Sequence, residues 1–290
     1  MVETVPGPVV NCIAYDRAGG RREITLDAIS DVLAGGDGSF VWVGLFEPDD
    51  ALLDKMQEEF GLHDLAIEDA HHAHQRPKIE SYGDSLLVVA HTAQADGEGG
   101  IAFGETHAFL GPRYLVTVRH GASASYAATR ARVEREPELL SLGPSYCLYA
   151  VLDTIVDNYL PIVDEFTRTL GDLEKDIFSG EFHRGTVLRL YALKRELTSM
   201  RLAVAPMQDI LAQLTRGHPG LVREEVRPYF RDVLDHALRV IESNDTMREM
   251  LTAALGINLS LVTVAQGEIV KKLAGWAALL AAPTLIASWY

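Results

Sequence analysis

Apolar positions fall into two regimes along the 290 residues. Up to about Gly143 they come in short bursts. VVNCIAY (9–15) and FVWVGLF (40–46) are β-branched and aromatic runs, the composition of strands. SLLVVAHTA, IAFGETHAFLG and YLVTVRH supply three more strands, the first two joined by a hairpin loop over Asp96-Gly97-Glu98-Gly99-Gly100. Between the first two strands lies a short helix near Leu26 to Leu33, closed by the turn Gly35-Gly36-Asp37-Gly38. That turn has neither the spacing nor the Lys-Ser/Thr pair of a phosphate loop. PDDALLDKMQEEF (48–60) places Pro48 and two acids in a first turn, ahead of an apolar stripe at Leu52, Leu53, Met56 and Phe60. It predicts a helix. A second short helix covers His63 to Ala70.

Beyond Gly143 the pattern holds only helix formers. Leu148 to Phe178 and Thr186 to Leu214 are expected as helices, and His218-Pro219-Gly220 breaks the pattern before the longest one. From there apolar residues step by three and four: Phe230, Val233, Ala237, Val240, then Met247, Leu251, Ala254 and Leu261, with Asn244 and Asn258 in the same stripe. This is coiled-coil spacing, in which an isolated Asn fixes register or oligomer state at a cost in stability. Read as one helix, Tyr229 to Tyr290 would be roughly 90 Å long at about 1.5 Å per residue. So long a helix needs sister helices to cover it.

The closing stretch, LAGWAALLAAPTLIASWY (273–290), carries no charge and follows Glu268, Lys271 and Lys272. It lies at the short edge of what spans a bilayer, where about 20 residues is typical. The two lysines sit where the cytoplasmic side of a membrane helix carries them, and Trp276 and Trp289 lie near its ends. A buried core helix is the competing reading. A core helix is not usually the unpaired end of a coiled-coil stalk, so the membrane reading is preferred. The N-terminus, MVETVPGPVV, has no secretory-signal pattern.

The formal charge of −15 argues against nucleic acid, which requires a basic surface, and suits a surface that meets cations. Hydrophobic content of 48% is that of a folded protein. Cys12 and Cys147 are too few and too far apart for a disulfide framework or a thiolate metal site.

Three segments carry a resemblance. GLHDLAIEDAHHAHQRPKIE (61–80) has a Gly-x-His, a Glu-Asp pair and His-Gln-Arg-Pro-Lys before a strand; VLDTIVDNYLPIVDEF (151–166) opens a long helix; RPYFRDVLDHALRVIE (227–242) opens the stalk. Together with the ending PTLIASWY, they resemble the CorA family of magnesium and cobalt transporters over nearly the whole chain. The resemblance implies an α/β plus long-helix fold: an N-terminal αβα sandwich (1–142), antiparallel long helices and a stalk (143–272), and a first transmembrane helix (273–290). It also implies that the sequence stops at Tyr290, one residue short of the family's Gly-Met-Asn motif and the second membrane helix.

The function implied is transport of Mg2+, and of Co2+, across the cell membrane by a homopentamer embedded in lipid, with most of this chain on the cytoplasmic side and no enzymatic activity. A regulatory cation would join Asp69 of one subunit to Asp232 of the next, with a weaker site at Glu68 and Asp153. Carboxylates facing one another suit Mg2+, which takes oxygen ligands and keeps several waters. In the membrane helix, Thr284 matches a pore-lining threonine, and Val270, Leu273 and Ala277 match the apolar gate. Gly256, Gly267 and Ser288 depart from common family residues, and Gln266 is the candidate substitute for a missing polar ring. His63, His71, His72 and His74 suggest a zinc or cobalt site, but Pro77 ends the helix that would align them. A ZntB-like zinc transporter, a membrane-anchored metal sensor without conduction, and a soluble metallohydrolase are the alternatives. The last lacks a recognisable base or ligand triad.

Overall fold

The computed structural model describes residues 7–72, 75–97, 100–178, 184–218 and 220–288. In chain order the elements are β1 (Val9–Tyr15), β2 (Arg21–Glu23), α1 (Ile29–Ala34), β3 (Phe40–Phe46), α2 (Asp50–Phe60), α3 (Asp64–His71), β4 (Lys78–Tyr82), β5 (Ser85–Ala95), β6 (Ile101–Gly111) and β7 (Tyr114–Gly121). Helices follow: α4 (Ala127–Val133), α5 (Pro137–Leu140), α6 (Pro144–Asp157), α7 (Tyr159–Phe178), α8 (Arg184–Arg216) and α9 (Arg227–Ala287). The chain divides into two compact units, Met1–Asp164 with Thr198–Asn244, and Glu165–Leu197 with Asp245–Tyr290.

In the first unit the strands form one sheet in the order β2-β1-β3-β7-β6-β5-β4. Every neighbouring pair is antiparallel except β3–β7, which is parallel. Side chains alternate across the sheet, so each face packs its own helices. On one face Val41, Val43, Leu45, Leu87, Val89, Phe109, Val116 and Val118 meet Ile29 and Val32 of α1, Leu53, Met56 and Phe60 of α2, and Ala66 and Ile67 of α3. Met56 is fully buried there, so Met56→Ala would cost about 2–5 kcal/mol. The opposite face is covered by α4 and α6. Tyr126 bonds Thr106 at 2.7 Å, the Arg130 guanidinium lies 5.9 Å from the centre of the Trp42 ring, and Thr129 ties α4 to Thr154 of α6 at 2.8 Å. The result is the expected αβα sandwich.

Local chemistry sets the helix ends that hold the site. Asp49 caps α2: its carboxylate accepts the Leu52 N–H at 2.9 Å, and the helix stops where Gly61 turns left-handed (φ 64°). His63 then caps α3, its Nδ1 accepting the Leu65 N–H at 3.2 Å. Several expectations need correction. The helix expected over Leu148 to Phe178 is two, α6 and α7, because the first closes at Asn158. Helix α8 ends at Arg216, where Gly217 adopts φ 85°, ahead of the expected break at His218; Pro219 lies outside the described residues. The strands β2 and β4 and the helices α4 and α5 have no counterpart in the hydrophobic pattern, being short or polar. Glu98 and Gly99 of the hairpin loop, and Trp289 and Tyr290, lie outside the described residues.

The second unit is helical throughout its described residues. Its buried positions, Phe166, Leu170, Leu173 and Ile177 of α7, Leu190, Leu193 and Leu197 of α8, and Met247, Leu251 and Ala254 of α9, repeat at helical spacing. Arg189 of α8 pairs with Asp176 of α7 at 3.0 Å. In α9 the three-four stripe is buried at every position from Phe230 to Ala254, including Asn244 at 1% exposure, but Leu261 is 42% exposed. The stripe therefore stops short of the expected end.

Candidate cation site

Glu68 and Asp69 lie in the last turn of α3. Glu68 is exposed, while Asp69 is 18% exposed because Lys78, the first residue of β4, places its ammonium 2.8 Å from the carboxylate. The same ammonium reaches Glu80 at 2.9 Å. The two acids hold the Lys78 pKa above its ordinary value against the opposing effect of burial. Asp69 is thus paired within its own chain.

Asp153 lies on α6 and is only 5% exposed. Arg132 of α4 binds its carboxylate at 2.6 Å. Burial raises the Asp153 pKa, the neighbouring Asp157 raises it further, and Arg132 opposes both. One turn along α6, Asp157 lies 3.5 Å from Nδ1 of His236 on α9, and the other nitrogen of that ring lies 3.9 Å from Asp232. Asp153, Asp157 and His236 are the one set of three ligating residues among the described residues whose ligand atoms all lie within 4.8 Å of one another. His236 Nδ1 is buried without a hydrogen-bond partner, so the ring offers a free coordination position. Two carboxylates suit Mg2+ with retained waters, and the imidazole adds affinity for Co2+.

The structure thus joins Asp153 to Asp232 through His236, and adds Asp157 and His236 to the predicted residues. Among the described residues it does not bring Glu68 or Asp69 into any such group of three. Asp157 and His236 were legible only as pattern: Asp153 and Asp157 are spaced i, i+4 on one helix, as are Asp232 and His236 on another.

The histidines near α3 serve other ends. His63 is an N-cap stacked on Tyr82, His71 bridges Asp50 at 2.8 Å and Asp54 at 3.4 Å, and His72 Nδ1 donates to the Glu68 carbonyl at 3.0 Å. His74 lies outside the described residues. Burial pushes the Cys12 thiol up to about 11 and the Cys147 thiol higher still, which keeps both protonated and poor as ligands.

In α9, Gln266, Val270, Leu273, Ala277 and Thr284 are all exposed and follow one another at steps of four, three, four and seven, on one helix face. The Thr284 hydroxyl donates to the Ala281 carbonyl at 2.8 Å and reaches that of Leu280 at 3.1 Å. The helix contains an 18-residue window of mean hydropathy 1.4, only 6% of it buried. A core helix of that hydropathy would be covered.

A cobalt/magnesium transport protein CorA from Thermotoga maritima is 26% identical over 275 residues, covering 93% of this chain and 78% of that protein. The solved CorA magnesium transporter of Methanocaldococcus jannaschii superposes with a TM-score of 0.78 at 20% identity, over 97% of this chain and 86% of that one. The ZntB cytoplasmic domain from Vibrio parahaemolyticus has the same fold at a TM-score of 0.65 and 11% identity, over 86% of this chain and 96% of its own. The model of the CorA-like Mg2+ transporter proteins matches residues 37–290. This chain belongs to the CorA-like Mg2+ transporter family, whose members are transporters and not enzymes.

Proposed function

We propose that this protein carries Mg2+, and Co2+, across a cell membrane as a pentameric channel closed by cytoplasmic divalent cations. Residues 1–142 form the cytoplasmic α/β domain, 143–272 the long helices and stalk, and 273–290 the first membrane helix, with lipid around it. The observation that carries this reading is the uncovered apolar window of α9, an exposure that water does not tolerate and a bilayer does. The membrane potential would draw cations inward. Gln266, Val270, Leu273, Ala277 and Thr284 would line the path. Val270, Leu273 and Ala277, all exposed in the single chain, would form the apolar gate.

Regulation would lie in the carboxylates. A cation held by Asp69 of one subunit and Asp232 of the next, with Glu68 and Asp153 beside it, replaces repulsion with attraction and ties the ring together. Five such sites at about 1 kcal/mol of differential binding each would supply roughly the 5.5 kcal/mol that takes a two-state equilibrium from 1:99 to 99:1.

Two measurements test this. Expression of the whole gene in a bacterium lacking its own Mg2+ uptake is expected to restore growth in low Mg2+; uptake of Zn2+ alone would favour the ZntB-like reading. For the sensor, millimolar Mg2+ is expected to raise the thermal midpoint of the wild type, since a ligand that binds only the native state adds stability. Asp69→Asn and Asp232→Asn should each remove most of that gain. An undiminished Mg2+ response in both variants would rule these aspartates out.

A further inference from the structure

At the far end of the sheet face that packs α2 and α3, four ionisable side chains form a row across four strands. His91 of β5 pairs in register with Glu105 of β6, and Glu105 with His120 of β7. Glu47, directly after β3, donates its N–H to the Arg119 carbonyl and so continues the row. These residues, with Phe103, Gly104 and Gly121, line a cavity of about 370 Å3. Val89, His107 and Val118 form the next row inward.

The hydrogen bonds around this cavity set the ring nitrogens. His91 Nε2 lies 2.8 Å from the Gln75 carbonyl, which can only accept, so Nε2 carries the proton and Nδ1 the lone pair. His120 Nδ1 lies 3.0 Å from the Glu47 carboxylate, which leaves Nε2 with its lone pair. That Nε2 is buried and has no partner. His107 is fully buried with neither ring nitrogen hydrogen-bonded, and its Nε2 sits 3.3 Å from Glu105 Oε1. Buried polar atoms left unpaired are uncommon and call for a ligand or another cause. Glu47 adds a further sign. It is the one described non-glycine residue in the left-handed region (φ 45°), and its carboxylate is fixed by the Gly121 N–H at 2.7 Å as well as by His120. Such strain persists where the surroundings over-determine a position, often at a ligand site.

We propose that this cavity binds one borderline transition-metal ion, of the Co2+ or Zn2+ class, through His120 Nε2, His91 Nδ1 and the Glu105 carboxylate. An imidazole whose second nitrogen donates to a carboxylate or a carbonyl is the usual arrangement of a metal-bound histidine. Glu47 and Gln75 supply those partners. Two imidazoles with a carboxylate select Co2+ and Zn2+ over Mg2+, which prefers oxygen alone. The three ligand atoms do not all lie within 4.8 Å of one another, so binding would require the Glu105 carboxylate, which accepts the Gln75 N–H at 3.0 Å, to turn further into the cavity. The site is separate from the Asp153–Asp157–His236 group and does not depend on conduction.

The test uses the whole protein, stripped of metal by a chelator and kept in a large excess of Mg2+ to fill oxygen-only sites. Titration with Co2+ is expected to give one equivalent per chain with visible ligand-field absorption, displaced by Zn2+. His91→Ala and His120→Ala should each abolish that absorption, and Glu47→Gln should weaken Co2+ binding about 10–100-fold. His236→Ala should leave it intact. Thermal melts without metal identify any variant that fails to fold; His91, partly exposed within β5, provides the variant expected to fold. No stoichiometric Co2+ in excess Mg2+, or Co2+ lost in His236→Ala but kept in His91→Ala, overturns the proposal.

Discussion

Asp153 is a buried carboxylate whose charge a bound cation would relieve. Its folded pKa lies above the ordinary aspartate value, chiefly through burial. The folded state therefore binds its proton more tightly than the unfolded chain does, and the ionised form costs stability as pH rises above about 4. A divalent cation would offset that cost. Asp153→Asn keeps an acceptor for Arg132 and removes the buried charge. In chelator its thermal midpoint should match or exceed that of the wild type, and the gain on adding Mg2+ should shrink. A midpoint well below wild type in chelator would refute this account. Lys78 sets a second test. Its ammonium already occupies Asp69 at 2.8 Å, so any cation binding there must displace it. Lys78→Gln should lower the Mg2+ concentration needed for half the stability gain by several-fold, while Asp69→Asn should remove the response. No change in Lys78→Gln would mean that the Lys78 pair does not compete.

Among the elements, α9 was the most legible and the sheet edges the least. The three-four stripe from Phe230 to Ala254 is buried as its spacing predicts, since periodicity over many turns outweighs any single residue. Asn244 within it is 1% exposed, and neither amide atom has a partner in the single chain. Replacing it with Leu should stabilise the protein by about 1–3 kcal/mol, the usual cost of an unpaired buried group. The variant should also populate more than one oligomer, because a lone Asn holds the register of a helical seam. Chemical denaturation and light scattering would report the two effects; a destabilised Asn244→Leu would mean the amide is paired across chains. By contrast β4 (KIESY) carries no apolar alternation, and its place as an edge strand follows only from pairing with β5. The candidate cation residues divide the same way. The resemblance pointed to Glu68, Asp69, Asp153 and Asp232, whereas the grouping of His236 with Asp157 needed three-dimensional proximity between α6 and α9. The row of His91, Glu105 and His120 was hidden for a similar reason: each lies in a different strand, and register alone aligns them.

For the whole molecule, the αβα layers and the long helices follow from where the apolar bursts give way to continuous helix formers near Gly143. What the pattern could not supply was the order of the strands. The parallel β3–β7 pair joins segments 74 residues apart, as in the bond from the Thr117 hydroxyl to the Val43 carbonyl, while β4 to β7 pair with their neighbours in sequence. The sheet is thus assembled from two locally paired halves that meet along one seam. Closing a loop of that length slows folding more than it weakens the product. On the ribosome, at roughly 5–20 residues per second, FVWVGLF would emerge several seconds before its partner strand. Through that interval β3 has β1 on one side and a bare, strongly apolar edge on the other, the kind of segment that recruits stray strands. The step most exposed to misassembly in this protein would then be the wait for residues 114–121, during synthesis and well before any membrane is reached.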